Sequence, residues 1–161
     1  MTNPTIPGVT LPASDHRRLE RLARRGADQG DVDAEFLLSE ISRAEIVPDR
    51  AARLDGIVTI GSWVTFRTDG ALAHETRQLV YPEDLTSERK QIAVTSPLGA
   101  AMVGLQVGSE IPFFAAGRTS VVTIERVSRT DPHDVVRALF SKPVLRREKL
   151  RDDDDPGPSA A

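Results

Sequence analysis

Cysteine is absent from the 161 residues, which excludes disulfide staples, thiolate nucleophiles and cysteine-held metals. Aromatic side chains are scarce: one tryptophan, one tyrosine and five phenylalanines, a poor supply for an aromatic-lined ligand pocket. No apolar run approaches the roughly 20 residues that a membrane-crossing helix needs. The opening MTNPTIPGVTLP has no basic region ahead of an apolar stretch, so it does not read as a secretory signal. With the missing thiols, this sets the expectation of a cytoplasmic protein that does not engage a membrane. Charge of one sign is not in excess either. The 21 basic and 24 acidic residues leave a net charge of -3, against a dedicated or sequence-specific nucleic-acid binder, which needs a clear basic surplus.

Familiar chemistry is missing as well. His16, His74 and His133 show no spacing that would let them share a metal. The stretch GIVTIGSW lacks both the lysine and the spacing of a phosphate loop. Ser96 followed by Pro97 does not form a nucleophile elbow; the pair suits a helix start, where Ser96 caps and Pro97 forfeits no donor. No catalytic residue, cofactor or metal is therefore expected.

What is present is enough for one modest core with a small helical element attached. Residues 1–13 carry three prolines and a glycine and read as a disordered lead-in. Residues 14–47 read as a short antiparallel helical hairpin. Its first helix, capped by Ser14 or Asp15 and running to about Arg25, sets Leu19, Leu22 and Ala23 on one face and is otherwise basic. Its second, from about Asp33 to Ala44, repeats Leu37, Ile41 and Ala44 at helical spacing. Helices of about 11 residues make an arm only about 17 Å long, marginal in water without mutual packing or docking. Residues 48–56 are the expected linker.

Residues 57–128 alternate in strand fashion. Ile57–Thr68 and Ala73–Tyr81 form an expected strand pair around an Asp-Gly turn, and Arg89–Thr95 a third strand. Then come a short helix from Pro97 and a last hairpin, Glu110–Ala115 with Thr119–Val127. The sum is an antiparallel sheet with one helix against it, an α+β domain. In the remainder, 129–161, Asp131 and Pro132 can open a helix carrying Val135, Val136, Leu139 and Phe140. The rest is a basic and then acidic tail, read as largely disordered.

The segment SPLGAAMVGLQVGSEI, Ser96–Ile111, resembles the C-terminal signature of the Gre transcription factors, V-S-P-L-G/A-x-x-L-x-G-x-x-V-G-D-E, with Ser109 in place of its aspartate. RAEIVP (Arg43–Pro48), WVTFRT (Trp63–Thr68) and RQLVYPED (Arg77–Asp84) are similar to the smaller Gre-like proteins of the Rnk family, named as regulators of nucleoside diphosphate kinase. The resemblance spans residues 14–128. It implies the FKBP-like version of the α+β fold, with RNA polymerase as partner. It also implies that Tyr81, Pro82, Glu83, Asp84, Ser96, Pro97 and Leu98 lie in the loops that meet the rim of the polymerase secondary channel.

In Gre factors a long coiled coil enters that channel, and its tip carboxylates help hold Mg²⁺ for transcript cleavage. The corresponding acids here are Asp28, Asp31, Asp33 and Glu35. Their structural reading is helix capping and solvation, since the arm is several turns too short to reach an active site. The expectation is thus a polymerase-binding regulator that does not stimulate cleavage. The alternative is a Gre-type cleavage factor using the tip acids and Mg²⁺. A third reading, a prolyl isomerase, rests on fold analogy alone.

Overall fold

A computed structural model describes residues 5–141 of the chain. The hairpin forms, with a first helix longer than the spacing suggests: α1 spans Ala13–Ala27, while α2, Val32–Ser42, has about the expected length. At 1.5 Å per residue, α1 is about 22 Å long. Neither Ser14 nor Asp15 caps it. Pro12 stands at the cap position without a side-chain bond. Instead the Ser14 N–H donates to Asp49 Oδ1 at 2.9 Å, and Asp15 accepts from the Ile60 N–H at 3.3 Å. Both bonds, one from the Ser14 backbone and one to the Asp15 side chain, tie the helix start to other parts of the chain. Gly26 does not end α1 but serves the helix contact. A Cβ there would sit 2.5 Å from that of Ala34, so the hairpin closes where two small residues meet.

The structure corrects the lead-in over residues 5–13; residues 1–4 lie outside the described residues. Thr10–Pro12 is a strand, β1, parallel to β2, Glu45–Val47. Val9 and Leu11 are buried in the core, and Arg43, itself paired with the buried Glu40, donates to the Pro7 carbonyl. Prolines marked this segment as irregular, but two apolar side chains with a core to enter outweigh that signal. The expected linker is likewise not open chain, for Ala52–Leu54 makes a 3-10 turn that buries Leu54.

The main sheet has the order β5-β4-β3-β7-β6, with β3 Trp63–Thr68, β4 Glu75–Val80, β5 Gln91–Ala93, β6 Glu110–Ala115 and β7 Arg118–Ser128. Helix α3, Pro97–Met102, packs on it. The α+β expectation holds with one change: β4 and β5 pair in parallel, so the sheet is mixed. Residues 57–62 are not strand as expected. The Thr59 N–H donates to the Ser62 hydroxyl oxygen at 3.1 Å and Gly61 has φ of 86°, so the chain turns before entering β3.

A single apolar cluster joins the hairpin, the β1 segment and the sheet domain. Leu19, Ala23, Leu37 and Ile41 of the hairpin meet Val64, Phe66, Leu79, Ile124, Ala100 and Met102 of the sheet domain. The hairpin therefore lies against the sheet domain and does not stand off it as a separate arm. Beyond β7, Asp131 accepts from the His133 N–H at 2.8 Å and opens α4, Pro132–Phe140. This part of the expected tail is helical. The remainder of the tail, 142–161, lies outside the described residues.

Candidate functional site

The parallel pairing of β4 and β5 decides where the candidate loops lie. Val80 faces Ala93 in register, and the Val94 N–H donates to the Val80 carbonyl at 2.9 Å. Parallel strands end at the same edge of a sheet. Tyr81–Asp84, leaving β4, and Ser96–Leu98, following β5, consequently emerge side by side. An antiparallel pair would have sent them to opposite edges.

Tyr81 is buried, and Pro82 opens a 3-10 turn that presents Pro82, Glu83 and Asp84 to solvent. The loop is clamped from the hairpin. The Arg18 guanidinium lies 3.7 Å from the centre of the Tyr81 ring and forms an ion pair with Glu83. A cation over an aromatic face is attracted by the negative face of the ring. In the sequence Arg18 is one of several basic residues on the first helix. Nothing local could couple it to a loop more than sixty positions away. Of the loop acids, Glu83 is engaged twice: its own backbone N–H and then Arg18 hold its carboxyl below the usual range. Asp84 points outward with no ion pair among the described residues.

Burial, reinforced by the nearby Asp15 carboxylate and opposed by Arg18, pushes the Tyr81 phenol up to about 12. Since the chain has a single tyrosine, its ultraviolet titration is unambiguous. The tyrosinate band should rise with a midpoint well above the ordinary value near 10. The stability that the neutral, buried phenol contributes is full below the unfolded value near 10 and disappears as pH climbs through about 12. A midpoint near 10 in folded protein would show that the ring is not enclosed.

The second loop divides by role. Ser96 Oγ accepts from the Gly99 N–H at 3.1 Å and donates to the Ala93 carbonyl at 2.7 Å. Leu98 packs half-buried against the core. Both are structural. Pro97 is half-exposed and lines a groove with Val32, Asp33, Phe36, Phe113 and Phe114. The beginning of α2 thus stands beside the SPLG turn and β6.

The tip acids are spread out. Asp31 caps α2, its Oδ1 accepting from the Asp33 N–H at 3.0 Å and the Ala34 N–H at 3.3 Å. Asp33 and Glu35 sit in the first turn of α2, favourable for its dipole, while Asp28 follows α1. Among the described residues no three carboxylate or histidine groups gather as a metal site.

Comparison with known proteins agrees with this architecture. The family profile described as Rnk N-terminus matches residues 7–47, and that described as transcription elongation factor GreA/GreB, C-terminal, matches residues 53–129. The regulator of nucleoside diphosphate kinase of Escherichia coli (strain K12) is 34% identical over 125 residues, covering 74% of this chain and 90% of that protein. Transcription elongation factor GreA of Thermotoga neapolitana is 32% identical over 93 residues, 56% of this chain and 58% of that one. Among solved structures, a prokaryotic transcription elongation factor GreA/GreB from Nitrosomonas europaea superposes with a TM-score of 0.59 at 28% identity, covering 74% of this chain and 98% of that chain. The chain carries, in order, the Rnk N-terminal hairpin and the GreA/GreB-type C-terminal domain, and it belongs to the Rnk family.

Proposed function

We propose that this chain is a non-enzymatic, cytoplasmic transcription regulator that binds RNA polymerase at the rim of the secondary channel and does not stimulate transcript cleavage. One observation carries the reading. The YPED and SPLG loops leave one sheet edge together, while the hairpin tip is folded back beside α3. A protein of this shape presents a docking face and no projecting finger. Asp84 and Glu83, with Pro82 and Pro97, make up the exposed part of that face; Tyr81, Ser96 and Leu98 hold it in shape. Phosphate contacts are not its basis, given the net charge of -3.

Reach supports the same conclusion. Helix α1 is about 22 Å long, and Leu19 and Ala23 along it are already buried in the shared core. Little of that length is left to extend into a channel. Bound in this way, the protein would occupy the channel entrance and compete with longer factors.

Binding to core polymerase at low salt, with displacement of a Gre factor, tests the proposal. Asp84→Arg should weaken binding roughly tenfold or more, because a reversed charge at a contact both removes an attraction and adds a repulsion. Its exposure leaves the fold unaffected. Wild-type protein that neither binds nor displaces would refute the docking. Shortening of RNA in a backtracked complex would instead assign the Mg²⁺-dependent cleavage role to the tip acids.

A further inference from the structure

Helix α1 carries five arginines and no lysine, and they are unevenly satisfied. Arg18 is held by Glu83 and the Tyr81 ring, and Arg24 by Glu20. Arg21 and Arg25, exposed and one helical turn apart, have no ion pair among the described residues. Arg21 bonds only the Arg17 carbonyl of its own helix, at 3.4 Å. Like charges at that spacing repel. The helix dipole favours cations in the last turn, which accounts for Arg25 and not for Arg21 a turn earlier.

The two are more than a solvated row. With Arg18 they line an open cleft of about 410 Å³ between α1 and the YPED turn, and Leu22, Tyr81 and Glu83 complete its walls. That volume lies within the range of ligand sites, about 300–1,000 Å³. The contacts of Arg18 with Tyr81 and Glu83 join the two sides, so the cleft is set before anything enters it.

Its lining decides what fits. A guanidinium presents a planar fork of donors that matches a carboxylate or a phosphate. A single nucleic-acid strand also calls for a ring on which bases stack, and the one ring here, Tyr81, is buried beneath Arg18. Glu83 on the wall and Asp84 next to it oppose a run of phosphates. A carboxylate reaching Arg21 and Arg25 brings far less charge past those acids. Glu83 also belongs to the exposed YPED face, so the cleft continues that face without a break.

We infer that this cleft receives acidic side chains of the protein that docks on the YPED turn, with Arg21 and Arg25 as their partners. The inference rests on the polymerase docking already proposed and supplies a positive half to an otherwise acidic face. The partner must then carry carboxylates beside the group that meets Asp84.

Equilibrium binding of the full chain to core polymerase tests this. Arg21→Gln combined with Arg25→Gln should weaken binding roughly tenfold at low salt and flatten its decline as salt rises. Arg24→Gln, off the cleft and held by Glu20, should change binding by less than about twofold. All three positions are exposed, so circular dichroism and Trp63 fluorescence should stay native. If wild-type protein does not bind, the docking reading fails and the inference falls with it. If wild type binds and Asp84→Arg weakens it, while the double variant binds like wild type, this inference alone is overturned. Tighter binding by the double variant would overturn it too, giving the cleft to the chain's own acidic run, Asp152–Asp155. Capture of single-stranded RNA by the full chain, lost in the double variant, would overturn it in favour of phosphates.

Discussion

Gly99→Ala should cost about 3 kcal/mol of stability, the upper end of the range for an overpacked core. A Cβ on Gly99 would lie 2.1 Å from the Ala93 carbonyl oxygen and 2.9 Å from its carbon. Both are backbone atoms, so no side chain can swing aside. The same oxygen accepts from Ser96 Oγ, and Ala93 is the residue that pairs with Val80. Displacing it would loosen the helix cap and the parallel strand pair together. The sign is diagnostic, since helix propensity alone favours alanine over glycine by up to about 1 kcal/mol. Urea unfolding followed by Trp63 fluorescence measures the difference, with Ser96→Ala as a control expected to lose about 1 kcal/mol. A Gly99→Ala protein as stable as wild type would mean that α3 does not ride directly on β5. Because β5 sets the neighbouring loops side by side, this substitution should also disturb the docking face proposed for the YPED and SPLG segments.

Leu11→Ala should lose about 2–5 kcal/mol, the cost of deleting a fully buried leucine and leaving a cavity. Leu11 has no solvent exposure, stands opposite Ile46 in the β1–β2 pair, and belongs to the cluster that includes hairpin and sheet residues. A disordered lead-in would lose nothing. The shared core adds a second requirement: far-UV circular dichroism, dominated by helix, and Trp63 fluorescence, which reports on β3, should give coincident unfolding curves. Helical signal lost at lower denaturant than the Trp63 change would show a hairpin that unfolds by itself, and reach would then have to be reconsidered.

Local pattern was sufficient wherever a short-range constraint set the outcome. The hairpin followed from apolar spacing in Leu19, Leu22, Leu37 and Ile41. The start of α3 followed from Ser96 and Pro97, and α4 from Asp131 and Pro132. The family resemblance rested on the same kind of contiguous segment. Element ends were less secure: α1 ran on through Gly26 because that glycine answers to Ala34 across the hairpin, which no window of neighbouring residues contains.

By itself, then, the sequence determined the hairpin, the strands from β3 onward, α3 and α4, their order and the family, and it supplied the list of candidate loop residues. Tertiary structure alone decided that β5 runs parallel to β4, since alternation along a strand reports its buried face and not the direction of its partner. From that one pairing it follows that the two loops share an edge. Only the fold could recruit Arg18 to Tyr81 and Glu83, draw Val9 and Leu11 into the core, and lay the hairpin against the sheet. The physical reason is the same in each case: these contacts join residues distant along the chain, and their energy is realised only when a common core brings them together.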